Sequence, residues 1–185
     1  MNPAEVLAVE IKQYTGQEQS TFVPRVIGQS SNTVSARQSR KQWDESSFLE
    51  EISSKYGTEI IQVVNRLIKW GKDQHLRIWW GSGSNHGSCF LVKDHNEVPY
   101  SSFAIWTNGN IEIQFQHMKN RPVYDSKDMR LGLLNKLNDI QNIQITVDRI
   151  DYRPSIELNS LINEESLGKF ISIWEDYYRK IVGND

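Results

Sequence analysis

HLRIWWGSGSNHGSCFLVKDHNEVPYSSFAIWTNGNIEIQFQHM, residues 75–118, reads as a β-meander with its turns written into the sequence. Asn108-Gly109 separates FAIWT from NIEIQFQ, and this dipeptide tolerates the positive φ angles of a type I′ hairpin turn. That turn sets a register. Ile111, Ile113 and Phe115 then share one face while Glu112, Gln114 and Gln116 share the other, so the sheet is expected to be packed on one side and wet on the opposite one.

Working outward, two helices are expected upstream. Asp44 or Ser47 can cap the first, Ser47 and Glu50 have capping-box spacing, Phe48, Ile52 and Tyr56 form an apolar stripe, and Gly57 ends it. Ile60, Val64, Leu67 and Ile68 give the second helix its buried stripe, with Gly71 as its stop. Downstream, Asp125 and Ser126 start a helix running to Ile140, with Leu133, Leu134 and Leu137 inward. A short extended piece from Ile143 to Val147 and a turn at Arg153-Pro154-Ser155 lead to the last helix. Asn163 caps it, and it carries Leu167, Phe170, Ile171, Trp174, Tyr177, Tyr178 and Ile181. Helices before and after an antiparallel run describe an α+β domain over residues 43–185, about four strands with helices on one face. Ahead of it, residues 1–15 hold one isolated strand, Val6 to Tyr14, and residues 16–42 read as a polar linker in which only TFVPRVI could dock.

Composition narrows the function classes. The chain has 185 residues, enough for one well-buried core and too few for two full-sized domains. A single cysteine, Cys89, excludes a disulfide framework and a Cys-rich metal site, which fits a reducing cytoplasm. No run approaches the roughly twenty apolar residues of a membrane span, and no secretory signal is recognisable, so a cytoplasmic location without a membrane partner is expected. The formal charge of −2 gives no whole-chain case for a polyanion partner. Local clusters do better: Arg25, Arg37, Arg40 and Lys41 are the only charges between Gln19 and Trp43, and Lys119, Arg121, Lys127, Arg130 and Lys136 form a second group diluted by Asp125 and Asp128.

No complete catalytic signature is present. Glu10-Ile11-Lys12 has the E-x-K form in which a strand presents a Mg²⁺-binding carboxylate and a water-steering lysine. That chemistry also needs an upstream acidic residue on a neighbouring strand, whereas only nine residues precede Glu10 and the first Asp is Asp44. A strand with charges on its wet face accounts for the pattern. Gly81 to Ser88 could cradle a phosphate between Trp79, Trp80 and Phe90, but no helix and no Lys-Ser or Lys-Thr follows, and a hairpin loop explains it. His75, His86, His95 and His117 lack metal-ligand spacing, although strand ends could bring His86 and His95 together. No cofactor is expected.

VLAVEIKQY, VPRVIGQ, QWDESSFL, LRIWWGSG with GSCF downstream, IEIQFQ and RPSIEL together resemble uncharacterised bacterial proteins in which a PD-(D/E)xK nuclease-like region precedes a domain of this kind. The resemblance implies that Val6 to Tyr14 corresponds to a terminal strand of that region, that the nuclease core is absent, and that Glu10 and Lys12 are not a catalytic pair. What it leaves is a non-enzymatic accessory domain from a DNA-processing or defence protein. Its expected partner is DNA or RNA. Arg25, Arg37, Arg40 and Lys41 would meet phosphates, and Gln114, Gln116, Lys119 and Arg121 would position the strand. The alternative is a protein-interaction or dimerisation domain that engages a protein partner, or a second copy, through the N-terminal strand.

Overall fold

The computed structural model describes residues 8–15, 20–27 and 41–183. The chain divides into two compact units, residues 1–40 and 41–185.

In the first unit β1 (Ala8–Thr15) pairs antiparallel with β2 (Ser20–Ile27), with Glu10 opposite Arg25 and Ile11 opposite Pro24. The N-terminal strand is therefore not isolated, and part of the expected linker is its partner. Only residues 16–19 separate the two strands, an ordinary hairpin spacing. Pro24 lies within β2. In a two-stranded ribbon both strands are edges, so a missing N–H can face outward at no cost in pairing.

The second unit begins with β3 (Lys41–Gln42), which pairs with β5 (Ser82–Gly83). Lys41 thus belongs to a strand rather than to a linker. Helix α1 (Glu45–Asp73) is interrupted at Gly57, whose φ of 75° and ψ of −165° are not helical. Its start is a capping box made by Asp44 and Ser47: Asp44 Oδ1 accepts from the Ser47 amide at 2.8 Å, and Ser47 Oγ accepts from the Asp44 amide at 3.2 Å. Helix α1 runs past Gly71, because this glycine faces the sheet and a Cβ there would lie 2.6 Å from Leu91. The chain leaves the helix at His75, whose φ is 54°.

Five strands form the main sheet in the order β4-β6-β7-β8-β9, all antiparallel: β4 (Arg77–Trp80), β6 (Ser88–His95), β7 (Val98–Trp106), β8 (Asn110–Ile113) and β9 (Ser155–Glu157). The type I′ geometry expected at Asn108-Gly109 is found at the β6–β7 turn instead. At the β6–β7 turn both Asn96 and Glu97 have positive φ, the mark of a type I′ turn. At Asn108-Gly109 only Gly109 does, at 84°, while its amide bonds the Trp106 carbonyl at 3.1 Å. That is a three-residue loop with glycine in the left-handed position.

One face of the sheet carries Cys89, Leu91, Phe103, Ile105, Ile111 and Ile113, all buried. Helix α1 and the C-terminal helix α4 (Glu164–Val182) cover it, with the Phe103 ring 5.1 Å from Phe170, 5.4 Å from Trp174 and 6.4 Å from Trp70. The Tyr178 hydroxyl ties α4 to the sheet, donating to the Leu91 carbonyl at 3.1 Å and accepting from Ser102 Oγ at 2.6 Å. Asn163 caps α4 as its spacing predicts, accepting from the Glu165 amide at 2.8 Å. The layers are those of an α+β domain.

Strand β8 is shorter than the alternation suggested. It stops at Ile113, and Gln114 leads into a single helical turn, α2 (Phe115–Met118). Phe115 and Met118 stand at helical spacing and are both fully buried, so turning the chain here buries two large side chains where a continued strand would bury one. Helix α3 (Lys127–Asn138) follows with Leu133, Leu134 and Leu137 buried, then 3₁₀ turns at Val147–Arg149 and Leu158–Leu161 on either side of β9. No helix among the described residues is long and apolar enough to cross a membrane.

Candidate nucleic-acid interface

The residues expected to contact nucleic acid scatter. Arg37 and Arg40 lie outside the described residues, and Arg25 belongs to the first unit, at the β2 position opposite Glu10. The Lys41 ammonium sits 4.0 Å over the Trp43 ring, a cation–π contact beside the β3–β5 pair. Gln114 is buried, its amide donating to Glu112 Oε1 at 2.8 Å, so it orients a carboxylate and is not presented to a ligand. Arg121 is half-buried and its Nε donates to the Pro99 carbonyl at 3.3 Å, next to His117 Nε2 at 3.1 Å from the same oxygen. These two hold the start of β7. The remaining pair, Gln116 and Lys119, are exposed.

Gln116 and Lys119 do have neighbours that the sequence reading missed, in the loop RIDYRP of residues 149–154. The Gln116 amide bonds the Tyr152 carbonyl at 2.9 Å and the Ile113 amide bonds the Pro154 carbonyl at 2.8 Å, so the loop is stitched to the end of β8 and to α2. Arg130 fixes it from below. This guanidinium is only 3% exposed and donates to the carbonyls of Ile150 (3.3 Å), Tyr124 (2.7 Å) and Asp125 (2.6 Å) and to Asp151 Oδ1 (3.0 Å). A buried cation with four acceptors is a rigid anchor.

Outside that anchor stand Tyr152, 57% exposed, with Arg149 over its ring at 5.3 Å, and the exposed cations Lys119 and Arg153. Their ion pairs are loose. Lys119 is 3.6 Å from Asp151, which Arg130 already neutralises, and Arg153 is 3.7 Å from Glu112, which already accepts from Gln114. Exposed pairs at such distances contribute about 0–1 kcal/mol each, so both cations can be drawn to another anion at little cost. One clue was in the sequence: two arginines flanking an aromatic in RIDYR, a run with too few apolar residues to be core.

The second sheet face leads away from this loop. Register lines up Trp79, Phe90, Ala104, Glu112 and Ser155 across the five strands. Ala104 is fully buried and Phe90 half-buried, while Trp79 is 52% exposed with its ring 4.8 Å from that of Phe90. Strand alternation turns Trp80 the other way, onto Phe48 at 5.2 Å in the core. The face is therefore aromatic at one edge and basic beyond the other, rather than polar throughout.

The glycine-rich loop is folded into the hairpin, with two of its glycine amides already engaged. Its Gly81 amide bonds the Ser88 carbonyl at 2.9 Å, its Gly87 amide bonds Thr107 Oγ1 at 2.8 Å, and the Trp43 indole donates to the Gly83 carbonyl at 3.1 Å. A Cβ at Gly87 would lie 2.5 Å from the Trp43 ring, which is why glycine stands there. Among the described residues no group of three His, Cys, Asp or Glu side chains is placed to hold a metal ion. The Cys89 thiol is buried between α1 and the sheet, and burial pushes its pKa up, away from nucleophilic use.

The chain matches no protein-family model, no curated protein and no solved structure.

Proposed function

We propose that this chain is a non-enzymatic module that associates with nucleic acid through the surface of Gln116, Lys119, Arg149, Tyr152 and Arg153. The observation that carries the reading is the exposed Tyr152 held on a fixed loop among three weakly engaged cations. Cations reach phosphates and a tyrosine ring offers a base a stacking surface, whatever the sequence. The E-x-K strand has no part in it. A DNA-processing or defence setting in bacteria follows from the resemblance of the sequence and belongs to the same proposal.

The second unit carries 17 Lys and Arg against 20 Asp and Glu, so its own contribution to affinity comes from this one patch and is modest. The test is fluorescence anisotropy of labelled single- and double-stranded DNA titrated with the protein at low and moderate salt. Saturable binding that weakens as salt rises, and that falls about tenfold or more in a Lys119→Glu, Arg153→Glu double variant, is the expected result. Binding unchanged by that variant would move the site elsewhere. No binding even at low salt would leave the protein-interaction alternative, in which the β1–β2 ribbon meets a partner chain.

A further inference from the structure

We infer that the free edge of β9 is a binding site for an extended, basic segment of another protein, which joins the five-stranded sheet as a further strand. The pairing of β9 shows which of its backbone groups are unspent. The Leu158 amide bonds the Gly109 carbonyl at 2.9 Å and the Ile113 amide bonds the Pro154 carbonyl at 2.8 Å, so residues 154, 156 and 158 are the ones hydrogen-bonded to β8. Ser155 and Glu157 therefore turn their N–H and C=O groups away from the sheet. The Glu157 carbonyl is taken up as the cap of the 3₁₀ turn Leu158–Leu161. Three groups remain, the amide and carbonyl of Ser155 and the amide of Glu157, and they have no hydrogen-bond partner among the described residues. An antiparallel strand laid there exchanges two hydrogen bonds with Ser155 and accepts a third from Glu157.

These groups open into a groove of about 470 Å³ whose far wall is the loop at Asn142 and Gln144. No residue of β8 lines it, which puts it on the outer side of β9. The wall is held in place. Asn138 accepts from the Ile145 amide at 2.8 Å and donates to the Ile145 carbonyl at 2.9 Å, while Ser160 Oγ donates to the Asn142 carbonyl at 3.4 Å. A slot with a fixed wall loses little freedom when a strand enters. The other edge of the sheet is already engaged at its end, where the Gln42 amide donates to the Trp80 carbonyl at 3.0 Å.

The lining selects the occupant. Its single charge is Glu157, exposed and without an ion pair among the described residues, among amide and hydroxyl side chains. Asn142 and Gln144 also line an adjoining groove of about 670 Å³, in which Lys169 is tied to Glu165 at 2.7 Å while Asp139 has no ion pair among the described residues. Uncompensated carboxylates in polar walls favour Lys or Arg on the incoming strand and disfavour a phosphate backbone. A second copy of this chain matches poorly, because its own β9 brings another unpaired carboxylate to the seam.

The probes are three heptapeptides: alternating Thr and Lys, alternating Thr and Glu, and the Thr–Lys peptide with all its amides N-methylated. Alternation keeps the charges on one face of an extended strand, and N-methylation keeps the charge while removing the hydrogen bonds. Each is titrated into the intact protein and followed by amide chemical shifts. The expected result is saturable shifts at the Ser155 and Glu157 amides with the Thr–Lys peptide, slower exchange of both amides in the complex, and binding about tenfold weaker for the other two peptides. Glu157→Lys, a substitution on the exposed face of β9, should reverse the preference between the two charged peptides. Equal binding of the N-methylated peptide, or no shift at β9 with any probe, would overturn the inference. So would slow exchange of both amides in dilute protein before peptide is added, because the edge would then be filled by the chain itself. The patch of Lys119 and Arg153 is read separately by the DNA titration, and either site stands or falls without the other.

Discussion

Gly57 sits at φ 75° and ψ −165°, a region open in practice to glycine alone, and a Cβ there would meet no atom within 4 Å. Gly57→Ala should therefore cost about 2 kcal/mol for backbone reasons only, seen as a lower midpoint in denaturant with an unchanged slope. Arg130 is the opposite case, a residue defined by contacts. Arg130→Met removes the donor to three carbonyls and one carboxylate, should cost about 3 kcal/mol, and should speed amide exchange over residues 147–153 before the rest of the domain. At this scale the sequence was legible where one residue decides its own geometry, as at Gly57 or the Asn163 cap. It was not legible where a distant partner decides. Arg121 and Arg130 look alike as polar letters, yet the structure makes them a strand clamp and a loop anchor, through the Pro99 carbonyl in one case and the Ile150 carbonyl and Asp151 carboxylate in the other, all remote in sequence.

Elements were easier to place than their ends. The C-terminal helix, its cap and its aromatic stripe follow from spacing alone, because seven apolar residues recur at helical intervals. The end of β8 does not, since Ile111, Ile113 and Phe115 satisfy strand alternation while Phe115 and Met118 satisfy a helical turn. Burial chose the second. Likewise β2 was hidden in a segment whose polar composition reads as linker. The charged side chains that fasten elements titrate together in acid. Asp44 is held below its ordinary value of 3.8 by the Ser47 hydroxyl and amide, Asp176 by Lys136 and then Lys180, and Asp94 by Arg77. Depressed carboxylates stabilise the fold fully above their unfolded values, and this stability is lost as pH falls through the folded ones. The thermal midpoint should hold from pH 7 to about 5 and fall below about 4, with the α1 start fraying and the α3–α4 link loosening; Asp44→Asn with Asp176→Asn should flatten that fall.

For the molecule as a whole, the core beneath the sheet is a single connected body in which Cys89 lies between α1 and β6, inaccessible in the folded state. Thiol labelling by an aromatic disulfide should thus proceed only through global opening, at a rate that rises with denaturant as the unfolding free energy falls. Fast labelling in buffer would show that α1 lifts from the sheet on its own. The overall α+β plan was legible because hairpins and amphipathic helices are local signals. The basic patch was legible only by half, because Lys119 and Tyr152 are brought together by β9, which returns to β8 after 41 intervening residues. That long return has a consequence in time as well as in space. The hairpins β4–β6, β6–β7 and β7–β8 close over short loops and can assemble early, whereas docking β9 must wait for α2 and α3 to bring the chain back across a costly loop closure. That edge is then the last part of the domain to form and the first to be released under stress, so a half-folded chain would show buried tryptophans while the surface that joins Lys119 to Tyr152 is still unassembled.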